Sequence, residues 1–440
     1  MDRIIHVGLF GLGNVATGVL QLMKKHQPEI DKRAGTHVRI SKIVVADLAK
    51  KRNVDLSGIT LSNNPDDILN DPDIDIVIEL IGGLHPAESI VLKAFEKGKS
   101  VITANKALLA EKGADIFPAA HEAAGCFGFE SSVGTAIPII RTLKEGFAGD
   151  EILKISGIVN GTSNYILTAM TETGMEFDEA LKAAQEKGLA ESDPTFDIKG
   201  YDAAHKLIIM MNLAFGGIFD YSALYKEGIS DIKAVDIEYT KELGYAVKHI
   251  AAARKTDKGI EASVKPALIP HNHIFSSVNN AFNSISVIGS FMGPSTLYGL
   301  GAGPGPTAVG IAGDLIEACR YILTGQKRPI SPLSIPLQCW EPKTLVPMEQ
   351  IRSAYYLRFN VFDRLGVLSS ISGILAKNGI SVKSVIQKAG DSGMDQQVNI
   401  VLITHEASEA DIRSALEEVD GQAYITTKTQ LIRIEPVVTA

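Results

Sequence analysis

The chain has 440 residues, too many for one ordinary domain, and its 45% hydrophobic and 21% charged residues are an ordinary globular balance. A formal net charge of −8, with no long Lys/Arg tract, argues against nucleic acid as a partner. No uncharged apolar stretch reaches bilayer-spanning length, and Met1-Asp2-Arg3 leads into no h-region or cleavage site, so a cytoplasmic protein with no membrane partner is expected.

Ile4 to Leu9 form a short apolar run ending in a glycine-rich turn, and Val15 to Lys25 carry apolar residues at helical spacing. Strands are predicted at Val38–Val45, Asp75–Ile81 and Ser100–Thr103, with a helix at Glu88–Lys97. Strand, helix and strand with short connections indicate a parallel α/β sheet. Beyond residue 130 the pattern changes. Ile152–Val159 alternates like a half-buried antiparallel strand. Helices are predicted at Phe177–Lys187, stopped by Gly188, and at Tyr201–Leu213. Strands follow within residues 262–298. Pro329, Pro332, Pro336, Pro342 and Pro347 mark a linker packed on the surface. Tyr355–Phe362, Gly366–Lys377, Ser381–Gln387, Gln397–Thr404, Ala407–Val419 and Thr426–Ile434 then read strand, helix, strand, strand, helix, strand. That order is a ferredoxin-like layout.

Cys126, Cys319 and Cys339 are scattered and lack CxxC spacing. They read as buried or semi-buried free thiols of a reducing compartment. No His/Cys cluster suggests zinc.

The first turn supplies the clearest chemistry. Gly11-x-Gly13-x-x-Ala16 between a strand and a helix is a dinucleotide fingerprint. The first glycine permits the tight turn, and the second lets backbone approach a pyrophosphate. The small third residue allows helix and strand to pack closely, and the helix N-terminus faces the anion. Gly8, Phe10, Gly11, Gly13, Asn14 and Val15 are the cofactor candidates here. Asp47, at the end of the second strand, suits a ribose 2′-hydroxyl and NAD. Lys50, Lys51 and Arg52 suit a 2′-phosphate, so NAD and NADP both stay open.

Several further segments resemble the homoserine dehydrogenase family. They are Thr103-Ala104-Asn105-Lys106, Glu130 to Pro138, Gly157 to Tyr165, Gly188 to Asp197 with Gly200 to Lys206, and Tyr298 to Ala308. The resemblance implies interconversion of homoserine and aspartate semialdehyde, with hydride passing to or from a nicotinamide. It implies Lys206 as general acid/base, Lys106 and Asp202 completing the catalytic group, and Glu191, with Asp193 and Asp197, holding the substrate. It also implies cofactor contacts from Thr103, Lys106 and Gly303. A monovalent cation, Na+ or K+, is implied in the loop of Glu130, Val133, Thr135 and Ile137, mostly on backbone carbonyls. Thr135-Ala136 stands where glycines are common in the family.

These residue types suit the task. Reducing an aldehyde builds negative charge on oxygen, and a lysine offers both a proton and a positive field. Asp202 and Lys206 lie four apart and share a helix face. Lys106 follows a strand at the carboxyl edge of the sheet, where ligands bind. His205 points to another helix face and reads as structural.

Tyr355 to Leu368, Asn378 to Ser381 and Ser384 to Gln387 resemble an ACT domain, with Leu365 where proline is usual. The resemblance implies an amino-acid effector, threonine, and a homodimer or homotetramer. The fold class expected is α/β. A Rossmann-type domain spans 1–130, completed by about 305–325. A mixed α+β substrate-binding, catalytic and dimerisation domain spans 131–304, a proline-rich linker 326–350 and an ACT regulatory domain 351–440. With no kinase segment ahead of Met1, a fused aspartate kinase is not expected. The competing reading is a non-catalytic sensor of nucleotide and amino acid, against which Lys106, Asp202 and Lys206 stand.

Overall fold

The computed structural model describes residues 3–325, 331–341, 343–388 and 396–435. They fall into two compact units: Met1–Gly161 with Asp202–Ala223 and Ala281–Thr344, and Thr162–Tyr201 with Leu224–Asn280 and Leu345–Ala440.

The first unit begins with β1 (Ile4–Phe10), α1 (Asn14–Ala34), β2 (His37–Val44), β3 (Thr60–Ser62) and α2 (Asp66–Leu69). It continues through β4 (Ile74–Glu79), α3 (Ala87–Glu96), β5 (Ser100–Thr103), α4 (Lys106–Glu111), α5 (Gly113–Glu122) and β6 (Phe127–Gly128). The six strands are all parallel, in the order β3-β2-β1-β4-β5-β6. Strand order reverses between β1 and β4, so a ligand crevice opens at their carboxyl ends. Both strands are near-continuous apolar runs because helices cover both faces.

Helix α1 runs past its predicted end near Lys25. It kinks at His26, where φ is −120°, just before Pro28, and closes on Gly35 in the left-handed region. Proline removes an N–H and crowds the preceding turn, so the sequence signal for an end marks a bend instead. Helix Pro304–Thr324 returns to this layer. Its Ala308, Ile311, Leu315 and Cys319 share a core with Val7 and Leu9 of β1 and Val19 of α1. Gly18 admits it: a Cβ there would lie 2.6 Å from the Pro304 carbonyl oxygen.

Strand Ile152–Ile158 pairs antiparallel with Phe282–Gly289, which pairs with Gly293–Leu300. The half-buried expectation for the first of these is corrected. Lys154 and Ser156 are buried too, because both faces are covered.

The second unit contains helices Phe177–Glu186 and Ala234–Glu242 and a hairpin of Tyr245–Thr256 with Gly259–Pro270. Its C-terminal module has four antiparallel strands in the order Ile425–Ile434, Arg352–Phe362, Gln397–Thr404, Val382–Gln387. Alternate residues of a strand face opposite ways, and both faces are used. Tyr355, Leu357 and Phe359 pack on Ile371 and Leu375 of one helix and Ile412 of another. Tyr356, Val401, Ile403 and Ile432 pack on Tyr165, Ile166, Phe177 and Ile237. The sheet also continues sideways: Arg433 and Ile434 pair in parallel with Ala267 and Leu268. The module is therefore built into the unit rather than hung from it.

The proline-rich segment is not wholly superficial. Pro332 and Leu333 are buried, and the Val346 N–H donates to the Ile260 carbonyl. Pro329 and Pro342 lie outside the described residues. Cys126 and Cys319 are buried free thiols, but Cys339 is exposed on a one-turn helix between prolines, which corrects that expectation. Among the described residues, no helix is long and apolar enough to cross a membrane.

Candidate active site

The glycine turn has the form a bound pyrophosphate needs. Gly11 has φ +89°, and a Cβ there would lie 2.8 Å from the Leu80 carbonyl oxygen. At Gly13 the space is open: nothing lies within 4 Å of a Cβ. Gly13 is the N-cap of α1 and no side chain caps it, so the first-turn N–H groups face the crevice uncapped. Asn14 is exposed and Val15 half-buried beside it.

Three cofactor candidates lie buried in the sheet layer. Gly8 and Phe10 are buried inside β1, where Gly8 makes room for Ile68 and the Phe10 ring is fully enclosed. Thr103 is also fully buried, and its hydroxyl donates to Glu79 Oε2 at 2.7 Å. These side chains support the crevice from behind. Asp47 is exposed, and its carboxylate accepts the Ala49 N–H at 2.8 Å. The Arg52 guanidinium donates to the carbonyls of Lys50 and Asp47, holding this edge loop to itself. Gly303, with φ +119°, is the N-cap of helix Pro304–Thr324.

The catalytic candidates converge on one carboxylate. Asp202 and Lys206 lie in helix Tyr201–Phe215, and Lys106 opens α4. Lys206 Nζ donates to Asp202 Oδ2 at 2.7 Å and to the Val159 carbonyl at 2.6 Å. Lys106 Nζ meets Asp202 Oδ1 at 2.8 Å. Asn160 Nδ2 adds a bond to Oδ2 at 2.8 Å. The Asp202 and Lys206 side chains are 4% and 9% exposed, whereas Lys106 is 35% exposed. Burial opposes the charge on Asp202, yet the charges and hydrogen bonds of Lys206 and Lys106 hold its carboxyl well below the usual carboxylate range. One buried carboxylate thus holds both lysine side chains.

His205, the neighbour of Lys206, is buried and engaged away from Asp202. Its Nε2 faces Glu111 Oε1 at 2.8 Å and its ring lies against Tyr221. Burial lowers its pKa despite the neighbouring Glu111 carboxylate. Asn160 carried no assigned role in the sequence reading. The signal was a polar residue ending a buried strand just before a glycine.

Glu191, Asp193 and Asp197 belong to the second unit. Glu191 and Asp193 are exposed, and Asp197 is half-buried. Asp193 Oδ1 caps the next turn by accepting the Thr195 N–H, and bonds to Thr195 hold its carboxyl below its usual value. Ser163 Oγ donates to the Asp197 carbonyl and Thr162 Oγ1 to that of Leu189, bracing the segment at both ends.

Glu130, Val133, Thr135 and Ile137 are all buried in one loop of the first unit. The Glu130 carboxylate accepts the N–H of Ile140 on one oxygen and that of Arg141 on the other, and its carbonyl accepts the Val133 N–H. Thr135 has φ +55°, the conformation glycine favours, and its hydroxyl donates to the Leu300 carbonyl. That bond lets threonine occupy a glycine-like position. No group of three His, Cys, Asp or Glu residues set to hold a metal occurs among the described residues.

Comparison with known proteins agrees with this geometry. Residues 138–316 match the family model "Homoserine dehydrogenase", 11–130 its "NAD binding domain", and 355–421 the "ACT domain". The homoserine dehydrogenase of Neisseria gonorrhoeae is 40% identical over 432 residues, covering 98% of each chain. That of Bacillus subtilis is 38% identical, over 98% of this chain and 99% of the relative. The crystal structure of a homoserine dehydrogenase from Thiobacillus denitrificans superposes with a TM-score of 0.93 at 41% identity, covering 98% of both chains. Fold, nucleotide turn and near-full-length likeness agree, and the chain belongs to the homoserine dehydrogenase family, NAD(P)-dependent oxidoreductases, with a C-terminal ACT domain.

Proposed function

We propose that Lys206 is the general acid/base of the homoserine–aspartate semialdehyde interconversion. The observation that carries this is the sharing of one buried carboxylate by Lys206 and Lys106. In the reducing direction the Lys206 ammonium gives its proton to the aldehyde oxygen, and in the oxidising direction its amine takes the proton back. Asp202 keeps the ammonium in place and cannot itself take the proton, because its carboxyl is held so acidic. Lys106 adds a second positive charge that favours negative charge on the reacting oxygen. Glu191 receives the substrate ammonium, with Asp193 and Asp197 beside it.

The open turn at Gly11 and Gly13 and the uncapped start of α1 fit a dinucleotide pyrophosphate. When bound, NAD or NADP supplies or accepts the hydride. Lys106 and Gly303 complete its site. The buried loop of Glu130, Val133, Thr135 and Ile137 binds Na+ or K+ through carbonyl oxygens. The ACT module binds threonine, and the enzyme is a cytoplasmic homodimer or homotetramer. Free thiols at all three cysteines support a reducing compartment.

Lys206→Met tests the central claim. We expect kcat to fall by about 10²–10⁴ in both directions, with NADPH binding by fluorescence retained. A variant with normal turnover overturns it.

A further inference from the structure

Glu79 ends an otherwise apolar strand and is fully buried. No role so far uses it, yet it sits at the reversal of strand order. Its β1 partner is Phe10, and its β5 partner is Thr103. Three donors, rather than a cation, hold its carboxylate. Oε1 accepts the N–H groups of Ile81 at 2.7 Å and Gly82 at 3.2 Å. Oε2 accepts the Thr103 hydroxyl at 2.7 Å.

Each branch leads to the crevice. The first shapes the loop Leu80–Gly83, whose two glycines have φ of +80° and +68°. Leu80 packs its carbonyl against Gly11 of the nucleotide turn. The second branch runs forward to the catalytic group. Thr103 Oγ1 accepts the Asn105 N–H at 3.0 Å, Asn105 Oδ1 caps α4 by accepting the Leu108 N–H, and Lys106 is the first residue of that helix. Asn105 Nδ2 also donates to the Gly83 carbonyl at 2.7 Å, closing the circuit.

We propose that Glu79 is a positioning residue that ties the nucleotide-side loop to Lys106 through Thr103 and Asn105. An ionised carboxylate is an acceptor at every lone pair, and this position presents only donors. Glutamine would turn an N–H against at least one of them. The proposal rests on the reading of Lys106 and the crevice given above.

Glu79→Gln and Thr103→Val separate the branches. Glu79→Gln is expected to weaken NADPH binding about tenfold, by fluorescence titration, and to lower kcat as well. Thr103→Val breaks only the forward branch. It should leave the NADPH dissociation constant within about twofold while kcat drops about tenfold. A scaffold role alone would move both quantities together or only the melting temperature. Folded Glu79→Gln with normal binding and turnover overturns the proposal. Where Glu79→Gln does not fold, normal kcat in Thr103→Val does the same. Lys206→Met run in parallel separates the failures. Its normal turnover overturns the site reading, whereas normal Glu79 and Thr103 variants beside an inactive Lys206→Met overturn the Glu79 proposal alone.

Discussion

Lys106 and Lys206 are held on opposite oxygens of one carboxylate, at 2.8 Å and 2.7 Å from Asp202. The two ammonium groups come from different helices, and burial of the shared anion makes its removal costly. Asp202→Asn should therefore lower kcat by about 10²-fold or more, because the amide turns its N–H₂ against one of the lysines. A depressed folded pKa means that Asp202 adds stability above the ordinary aspartate value of 3.8 and loses it as pH falls below that. Urea midpoints for the variant should depend less on pH in the acid range than those of the parent.

Asp314 behaves in the opposite sense. Burial, with the negative charge of Glu130, pushes its carboxyl up to about 7 from 3.8. Below pH 3.8 both folded and unfolded chains hold the proton. As pH rises from there to about 7 only the folded chain does, so stability is lost on the way up. Asp314→Asn keeps an acceptor for the Glu130 N–H and removes the titration. Its melting temperature should fall less between about pH 5 and about pH 8 than the parent's.

Cofactor preference is expected to follow Lys50 and Lys51, since Arg52 is already bonded to carbonyls of its own loop. Replacing both lysines with alanine should lower kcat/KM for NADP about tenfold and change that for NAD less than about twofold. Parallel assays with the two nucleotides check this.

Threonine should be titrated into the whole chain. One face of the ACT sheet is covered by Tyr165, Ile166, Phe177 and Ile237, so a fragment from residue 350 would expose it. Lower activity and a higher melting temperature are expected with threonine. Unchanged activity together with an unchanged melting temperature would refute the proposal that threonine binds, made with Leu365 exposed where proline is usual in the domain it resembles.

Asp236 is fully buried and accepts bonds from Tyr356 and, in two places, from Arg358. Asp236→Ala would leave a largely buried guanidinium without its anion. A loss of about 3–5 kcal/mol in urea unfolding is expected, with Arg358→Met recovering part of it in the double variant.

Much of this architecture was legible in the residues. Period-two and helical spacing located the six C-terminal elements, and Gly11-x-Gly13-x-x-Ala16 marked the crevice. Lys206 and Asp202 were visible as a pair because a helix repeats locally. Their union with Lys106 came only from the family resemblance, since spacing is silent on a contact 96 residues away in the chain, Lys106 to Asp202. The burial of Thr103, Gly8 and Phe10 was not legible, because sequence position at a strand end does not say which way a side chain faces. Strand Tyr245–Thr256 was missed because buried lysine and histidine break its alternation: Lys248 donates to the Val278 carbonyl and His249 bonds the Glu227 carbonyl.

The parallel pairing of Ala267 and Leu268 with Arg433 and Ile434 has a practical consequence. A chain cut before the regulatory module would carry a raw hairpin edge and a bare greasy helical surface, both invitations to aggregate. Deleting the module to learn what it does is therefore self-defeating. Its role would have to be probed by point changes that leave it seated.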